Sequence, residues 1–307
     1  MRTAEGPGRD CLRLLVWYPL RWLLLALPPS LALASLQHMG NLHFTLASKK
    51  RQLLSENLQQ IGIPFCNHEQ IIRSYFQTHY LDQLFILVFP KLNRRNIAKF
   101  VTFRGLANLD AARKKGKGVI LVHGHLGPVH LPLVALAHLG YPMKQIGNPS
   151  NQGLSWIGRH VAFKQRMRYE QRIPAEIISA GSFLRPVFTA LRENKVVMTT
   201  GDGSGTELIF GKQHLFSFLG KSVLLPLGPA ILARKTGAVL LPLFIEPGTN
   251  TSFNVIIEEE IIAHSQGEQG IIESSEQFIR RLEQYIRLNP GYMHFLDRFT
   301  PGQMVHV

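Results

Sequence analysis

Short apolar runs alternate with longer amphipathic segments along most of the chain. Residues 118–122 form an uninterrupted apolar run, typical of a strand buried on both faces of a sheet, and an apolar helix is predicted to follow at about 129–139. Pro242 lies inside another predicted strand and indicates that this strand is near a sheet edge. The alternation of strand and helix predicts an α/β fold with a mostly parallel sheet flanked by helices. Further strands are predicted near 143–146, 176–179, 196–200, 238–245 and 252–261, and further helices at 67–88, 154–172, 182–192, 228–236 and 275–288.

The amino-terminal segment follows a different pattern. Residues 22–48 contain no Lys, Arg, Asp or Glu, and the first 15 of them are almost wholly apolar. A bilayer span needs about 20 apolar residues, so this run spans only if residues 12–20 extend it, and the two prolines that begin at Pro28 disfavour one straight helix. We expect a membrane-anchoring helix within 1–48 and one domain at 49–307. An interfacial hairpin or surface helix and a cleaved signal peptide remain alternatives.

The chain is strongly basic. Its 34 Lys and Arg against 20 Asp and Glu leave a net charge of +14, which implies an acidic partner surface, either anionic lipid or nucleic acid. The apolar amino terminus favours membrane lipid, and no nucleic-acid-reading motif accompanies the charge, so no nucleic acid partner is expected. The apolar fraction of 45% excludes a disordered protein. Cys11 and Cys66 have neither disulfide-framework nor metal-binding spacing.

A histidine-rich loop, His123-Gly124-His125-Leu126-Gly127-Pro128, follows the apolar run at 118–122. It lies where a strand passes into a helix, the edge at which parallel α/β sheets collect their ligands. A histidine with an ordinary pKa of about 6.5 can take the proton of a hydroxyl as that hydroxyl attacks an ester or thioester carbonyl. A carboxylate that orients the ring makes such a base more effective. One economical place for this carboxylate is five positions after His125, but there the chain has His130.

Two blocks of sequence carry a resemblance to a known family. The stretch Gly124-His125-Leu126-Gly127-Pro128-Val129-His130-Leu131 resembles the signature of the lipid A biosynthesis acyltransferases (the lauroyl/myristoyl transferases), in which the pattern is His-x4-Glu or Asp. A second block is similar to that family's FFG…GPAxLAxxTGAxxxP run, and the likeness covers nearly the whole chain. The second block comprises Phe216-Ser-Phe-Leu-Gly-Lys221, Pro226-Leu-Gly-Pro-Ala-Ile-Leu-Ala-Arg-Lys-Thr-Gly-Ala238 and Leu241-Pro-Leu-Phe244.

This resemblance implies a glycerolipid-acyltransferase-like fold and an enzyme at the cytoplasmic face of the bacterial inner membrane. Such an enzyme moves a fatty acyl chain from acyl carrier protein, or from coenzyme A, to a hydroxyl of a membrane glycolipid or phospholipid such as a lipid A precursor. By position, His125 corresponds to the catalytic base. The resemblance implies no cofactor and no metal ion.

The absence of an acid at position 130 leaves three hypotheses open. A neutral His130 could accept a hydrogen bond from His125 and form a weaker catalytic dyad with it. Asp202, which follows the strand predicted at 196–200, could supply the carboxylate instead, although a plain turn also explains an Asp there. In the third hypothesis the chain has lost acyl transfer and is a lipid-binding protein of the same fold.

Five further residues are candidates for substrate binding. By their order in the family, Arg166 and Arg168 are expected to clamp a phosphate or headgroup, since Arg binds such groups through paired hydrogen bonds; a solvated helix face is the alternative. Phe216, Phe218 and Gly220 are expected to wall an acyl channel, with ordinary core packing as the alternative for the aromatic rings.

A zinc site is a further alternative in the histidine loop. His123, His125 and His130 form an HxHx4H cluster, and three imidazoles can bind zinc and generate hydroxide, as in a metal-dependent hydrolase. No acidic ligand accompanies this cluster, and a hydrolase would leave the second block of family resemblance unexplained.

Overall fold

The computed structural model describes residues 5–147, 151–180, 184–203 and 211–306. The strands in this part of the chain are β1 (Val101–Arg104), β2 (Val119–His123), β3 (Met143–Gly147), β4 (Glu176–Ser179), β5 (Val196–Thr200), β6 (Gln213–Phe218), β7 (Lys221–Pro226), β8 (Val239–Pro247) and β9 (Phe253–Ile257). The α-helices are α1 (Pro7–Leu15), α2 (Arg21–Ala26), α3 (Pro29–Leu46), α4 (Ser48–Gln60), α5 (His68–Leu84), α6 (Leu106–Lys114), α7 (Leu131–His138), α8 (Lys164–Glu170), α9 (Arg185–Arg192), α10 (Gly228–Thr236) and α11 (Gly267–Leu288).

A seven-stranded sheet in the order β1-β9-β8-β2-β5-β3-β4 forms the centre of the fold. All its neighbouring strands are parallel except β8 and β9, and helices flank it, so the predicted α/β fold with a mostly parallel sheet is confirmed. β2 is the middle strand, and all five of its residues are buried, as its uninterrupted apolar run predicts. β6 and β7 form a separate antiparallel hairpin.

Pro242 does not mark an edge strand, and this prediction was wrong. Strand β8, which contains it, has β2 on one side and β9 on the other. Pro242 pairs in register with Val122 of β2, whereas the ladder between β8 and β9 begins only at Leu243. The N–H of Glu258, just after β9, donates to the carbonyl oxygen of Pro242 at 3.0 Å. A proline is tolerated inside the sheet because the regular β8–β9 ladder begins at the next residue, so its missing N–H removes no ladder hydrogen bond.

The apolar amino-terminal segment folds as several short helices. Between α1 and α2 lies a π-helical stretch, Val16–Leu20, and the chain becomes extended at Leu27 before the prolines that open α3. The side chains of Leu24, Leu33 and Leu36 are fully buried in the common core. In the described residues, no helix combines the length and the apolar character that crossing a bilayer requires. The predicted spanning helix is therefore not confirmed, and the division of the chain at residue 48 stays a prediction.

Candidate active site

The histidine loop emerges from the carboxyl end of the central strand β2. Its neighbour β5 runs parallel to it, and His123 pairs in register with Thr200, the last residue of β5. The N–H of Gly201 donates a hydrogen bond of 2.8 Å to the carbonyl oxygen of His123, so the chain segments after both strands leave the sheet side by side. The topology therefore brings Asp202 next to His125, although 77 residues separate them in the chain.

His125 and Asp202 form a two-point contact. The Nδ1 atom of the His125 ring lies 2.8 Å from Oδ1 of Asp202, and the backbone N–H of His125 donates to Oδ2 at 2.6 Å. The His125 side chain is 16% exposed and that of Asp202 only 7%. Because the carboxylate occupies Nδ1, the proton between them fixes the ring orientation and leaves Nε2 as the nitrogen available to a substrate.

The charges of this pair stabilise each other. Burial alone would lower the pKa of His125, but the charge and hydrogen bond of Asp202 outweigh it, and the net pKa is raised above the ordinary histidine value. Burial alone would raise the pKa of Asp202, but the neighbouring His125 lowers it below the ordinary aspartate value. The carboxylate therefore stays ionised and supports a protonated ring, which is what a general base requires once it has taken a proton.

Gly124 leaves room for the close contact between His125 and Asp202. A Cβ atom at this position would lie 2.7 Å from the Leu282 side chain of α11 and 3.1 Å from Oδ2 of Asp202. A larger residue would displace the Leu282 methyl groups first and would also crowd the carboxylate. The Leu282 side chain and the Asp202 carboxylate together leave room only for glycine at this position.

His130 lies apart from this contact. It is the residue before α7 and is half-buried. Burial lowers its pKa, while the negative charge of Asp82 opposes that effect. Among the described residues no hydrogen bond joins His130 to His125, whose Nδ1 atom is already paired with Asp202. Of the two partners proposed from the sequence, the structure brings Asp202 to the ring.

The carboxyl-terminal segment covers the other side of the histidine loop. The N–H of His294 donates to the carbonyl oxygen of His125 at 3.0 Å, and the ring of Phe295 lies 4.7 Å from the His125 ring between centroids. Asp82 of α5 accepts a hydrogen bond of 3.2 Å from the N–H of Val129. No sequence motif links the distant segments that bear these residues, so residue patterns alone do not reveal them.

The two arginine candidates point in different directions along α8. The Nε atom of Arg166 lies 2.7 Å from Oε1 of the nearly buried Glu170, and Arg166 is close enough for its charge to lower the pKa of His130. Arg168 is exposed and lies two residues further, which is about 200° around a helix. Both arginine side chains are exposed, the charge of Arg166 affects His130, and the clamp stays a prediction.

The three channel candidates belong to the β6–β7 hairpin. Phe216 and Phe218 are buried, and the ring of Phe218 packs edge-on against Phe299 with 6.1 Å between centroids. Gly220 lies in the hairpin turn with a φ of 75°, after Leu219 with a φ of 51°. Two consecutive residues with positive φ are the turn that best matches the twist of a hairpin, which explains the glycine. A channel role for these residues stays a prediction.

The zinc alternative requires three ligands to converge. Within the described residues, no three His, Cys, Asp or Glu side chains come together in a way that could hold a metal ion. His123 is fully buried, and burial lowers its pKa to about 4. Its Nδ1 atom lies 3.0 Å from the carbonyl oxygen of Gly124, and this contact holds the ring against the backbone at the end of β2.

Comparisons of the sequence with known proteins identify a family. The sequence model of the family described as "Bacterial lipid A biosynthesis acyltransferase" matches residues 12–300. Among curated proteins, the chain is similar to the phosphatidylinositol mannoside acyltransferase of Mycobacterium tuberculosis, in two strains. The two sequences are 25% identical over 251 residues, which cover 73% of this chain and 70% of the relative.

Proposed function

Since the chain belongs to the bacterial lipid A biosynthesis acyltransferase family, it is an acyltransferase, and we propose that His125 is its catalytic base. The observation that carries the proposal is the 2.8 Å contact between Nδ1 of His125 and the buried Asp202 carboxylate. It supplies, from the end of β5, the acid that position 130 lacks. This contact supports acyl transfer over the alternative of a lipid-binding protein without turnover.

In the proposed reaction, Nε2 of His125 takes the proton of an acceptor hydroxyl as its oxygen attacks the thioester carbonyl carbon. The tetrahedral intermediate then collapses, the carbon–sulfur bond breaks, and Nε2 returns the proton to the leaving thiolate. Asp202 stabilises the imidazolium in between and keeps the ring oriented. The acyl chain thereby passes directly from thiol to hydroxyl, so sequential kinetics are expected.

The proposed acceptor is a hydroxyl of a membrane glycolipid or phospholipid, and the proposed donor is acyl carrier protein or coenzyme A. The family description refers to lipid A, and the similar mycobacterial protein is named for a phosphatidylinositol mannoside. Both names denote sugar-bearing lipids, which favours a glycolipid acceptor. The net charge of +14 is suited to phosphate-bearing headgroups.

The test of this function is a transfer assay with two donors and two acceptors. Radiolabelled palmitoyl thioesters of acyl carrier protein and of coenzyme A are offered in parallel, with mixed micelles of a lipid A precursor or of phosphatidylinositol mannoside. Label in the lipid fraction supports the proposal and identifies the donor. Binding of the micelles with no label transferred from either donor would support the lipid-binding alternative.

We further propose that the amino-terminal helices attach the protein to the cytoplasmic face of the bacterial inner membrane. Their inner sides pack in the core, but large apolar side chains on their outer sides are exposed. Exposed apolar patches of this kind, together with positive charge, are typical of surfaces that lie in a membrane interface. The exposed side chains are Leu12, Leu15, Tyr18, Trp22, Leu23 and Leu31.

Replacing Leu12, Trp22 and Leu23 together with Ser is expected to weaken binding to anionic vesicles. Each large apolar side chain contributes on the order of 1 kcal/mol or more when it leaves water, so for three of them a loss of about a hundredfold or more is expected. Co-sedimentation with phosphatidylglycerol vesicles measures it. The control replaces Ile262 and Leu288, which are exposed in the loop before α11 and at the end of α11. Equal losses in both variants would contradict the assignment of the attachment surface.

Replacing His130 with Glu separates the hypothesis that Asp202 supplies the carboxylate from the hypothesis that His130 is the partner of His125. Because Asp202 already occupies Nδ1 of His125, an added acid at 130 is expected to change kcat/KM by less than about threefold. The control is His138→Glu at the other end of α7. A rise of tenfold or more would mean that position 130 is the working site of the acid; an equally large fall would mean that His130 itself takes part.

A further inference from the structure

One nearly buried carboxylate beside the histidine loop has no part in the steps above. Asp82 lies in the last turn of α5, and its side chain is 10% exposed. The carboxyl end of a helix carries partial negative charge, so an acid there is unfavourable unless other groups offset the repulsion. The contacts of Asp82 therefore indicate what it stabilises.

Both oxygens of Asp82 face the histidine loop and its cover. Oδ1 accepts a hydrogen bond of 3.2 Å from the N–H of Val129, at the point where the loop enters α7. Oδ2 lies 3.6 Å from Nδ1 of His294 and also accepts a long hydrogen bond of 3.5 Å from the side chain of Gln83. Apart from its chain neighbour Gln83, Asp82 contacts the end of the histidine loop and the segment that covers it.

His294 contacts the backbone of the histidine loop at two points. Its Nε2 atom lies 2.7 Å from the carbonyl oxygen of Gly127, and its backbone N–H donates to the carbonyl oxygen of His125 at 3.0 Å. A carbonyl oxygen can only accept, so Nε2 carries a proton. Nδ1 faces Oδ2 of Asp82 at 3.6 Å, which is too long for a hydrogen bond, and the two groups form an ion pair when Nδ1 is protonated as well. The ring thus connects the carboxylate on α5 with the middle of the loop.

We infer that Asp82 and His294 act together as positioning residues for acyl transfer, holding the loop that presents His125. Asp82 holds Val129, the residue that directly follows this loop, and His294 holds the carbonyl oxygens of His125 and Gly127 within it. The inference rests on the proposed function. It assigns a role to a carboxylate that reaches the start of α7 from another helix, where the family pattern has an acid at position 130.

The negative charge of Asp82 also affects the pKa of His125. Burial lowers the pKa of His125, Asp202 raises it most, and Asp82 raises it further. The other groups near the ring are His123, His294 and Arg298, and of these Arg298 lowers the pKa of His125. Loss of the Asp82 charge is therefore expected to move the pKa of His125 downward.

The first test replaces Asp82 with Asn, which keeps its size and an acceptor for Val129. We expect kcat to fall about tenfold while KM for palmitoyl coenzyme A stays within about twofold, since the residue affects the geometry of the base rather than substrate binding. The acid limb of the kcat/KM profile moves to lower pH. Glu69→Gln at the exposed start of α5 is the control. An unchanged kcat and an unmoved limb would overturn the inference.

The second test changes His294 instead, so the inference stays testable if the Asp82→Asn variant does not fold. His294→Gln keeps a donor for Gly127 and is expected to retain several-fold more activity than His294→Ala. Residues that act as one unit give non-additive losses, so Asp82→Asn combined with His294→Ala should be no worse than about twofold below the weaker single variant. Losses that multiply would contradict a joint role.

A His125→Ala variant, assayed in parallel, distinguishes failure of the inference about Asp82 from failure of the proposed function. If His125→Ala is inactive and Asp82→Asn is normal, the inference about Asp82 fails and the proposed function stands. If His125→Ala keeps full activity, the proposed function fails as well.

Discussion

Acyl transfer is expected to fall about a thousandfold when His125 is replaced with Ala, which corresponds to about 4 kcal/mol of activation free energy. Without the ring nothing takes the hydroxyl proton as the acceptor attacks the thioester. The acyl donor and the lipid acceptor still bind, so the loss falls on kcat, and KM changes little. Initial rates of label transfer to lipid, at saturating donor, measure it.

His264→Ala is the matched control, because this histidine is exposed and its hydrogen bond to the carboxylate of Glu273 is donated by its backbone N–H, which alanine keeps. It should keep wild-type rates. Substantial transfer by His125→Ala, with the control unchanged, would show that another group takes the proton. The wild-type profile adds a second check. Since the pKa of His125 is raised and the base works in its neutral form, kcat/KM should decline on the acid side around a pH above 6.5, the ordinary histidine value.

Replacing Asp202 with Asn is expected to lower kcat about a hundredfold or more. The Asn side chain has the size to stay in place and to accept from the backbone N–H of His125. Its amide then presents N–H groups to Nδ1, which favours the tautomer that carries the proton on Nε2. The base is thus blocked at the nitrogen that must take the proton, and the imidazolium loses its counter-charge.

The same variant should shift the acid limb of the kcat/KM profile. Asp202 is the main group that raises the pKa of His125, so its neutralisation lowers that pKa and moves the limb to lower pH. Glu268→Gln, an exposed acid on α11, serves as the control and should leave both rate and profile unchanged. A variant with a normal rate and an unmoved limb would contradict the pairing.

Much of the central sheet could be predicted from residue patterns, because a strand buried on both faces has a distinctive composition. β2 and β5 are of this kind, and their predicted bounds hold to within a residue. β1 escaped prediction, since its alternating, half-exposed residues give a weaker signal. Pro242 misled the placement of β8 because sequence alone does not reveal where the ladder to its neighbour stops.

The candidate site could be predicted in part, and the reason lies in the topology. His125 stands in a loop directly after a recognisable strand. The choice between His130 and Asp202 depended on whether β5 lies beside β2, which chain order does not determine. Asp82 and His294 come from segments with no motif, and only packing brings them to the loop.

In the resting enzyme, we expect Asp202 to hold the proton on Nδ1 of His125 and to leave Nε2 without one. Long-range proton–nitrogen NMR of protein labelled with ¹⁵N-histidine reads this tautomer directly, and the His125 signals are assigned by their absence in His125→Gln. At a pH above the raised pKa, the account predicts the Nδ1–H tautomer in wild type and its loss in Asp202→Asn. A His125 ring that carries its proton on Nε2 in the wild-type enzyme would contradict the account.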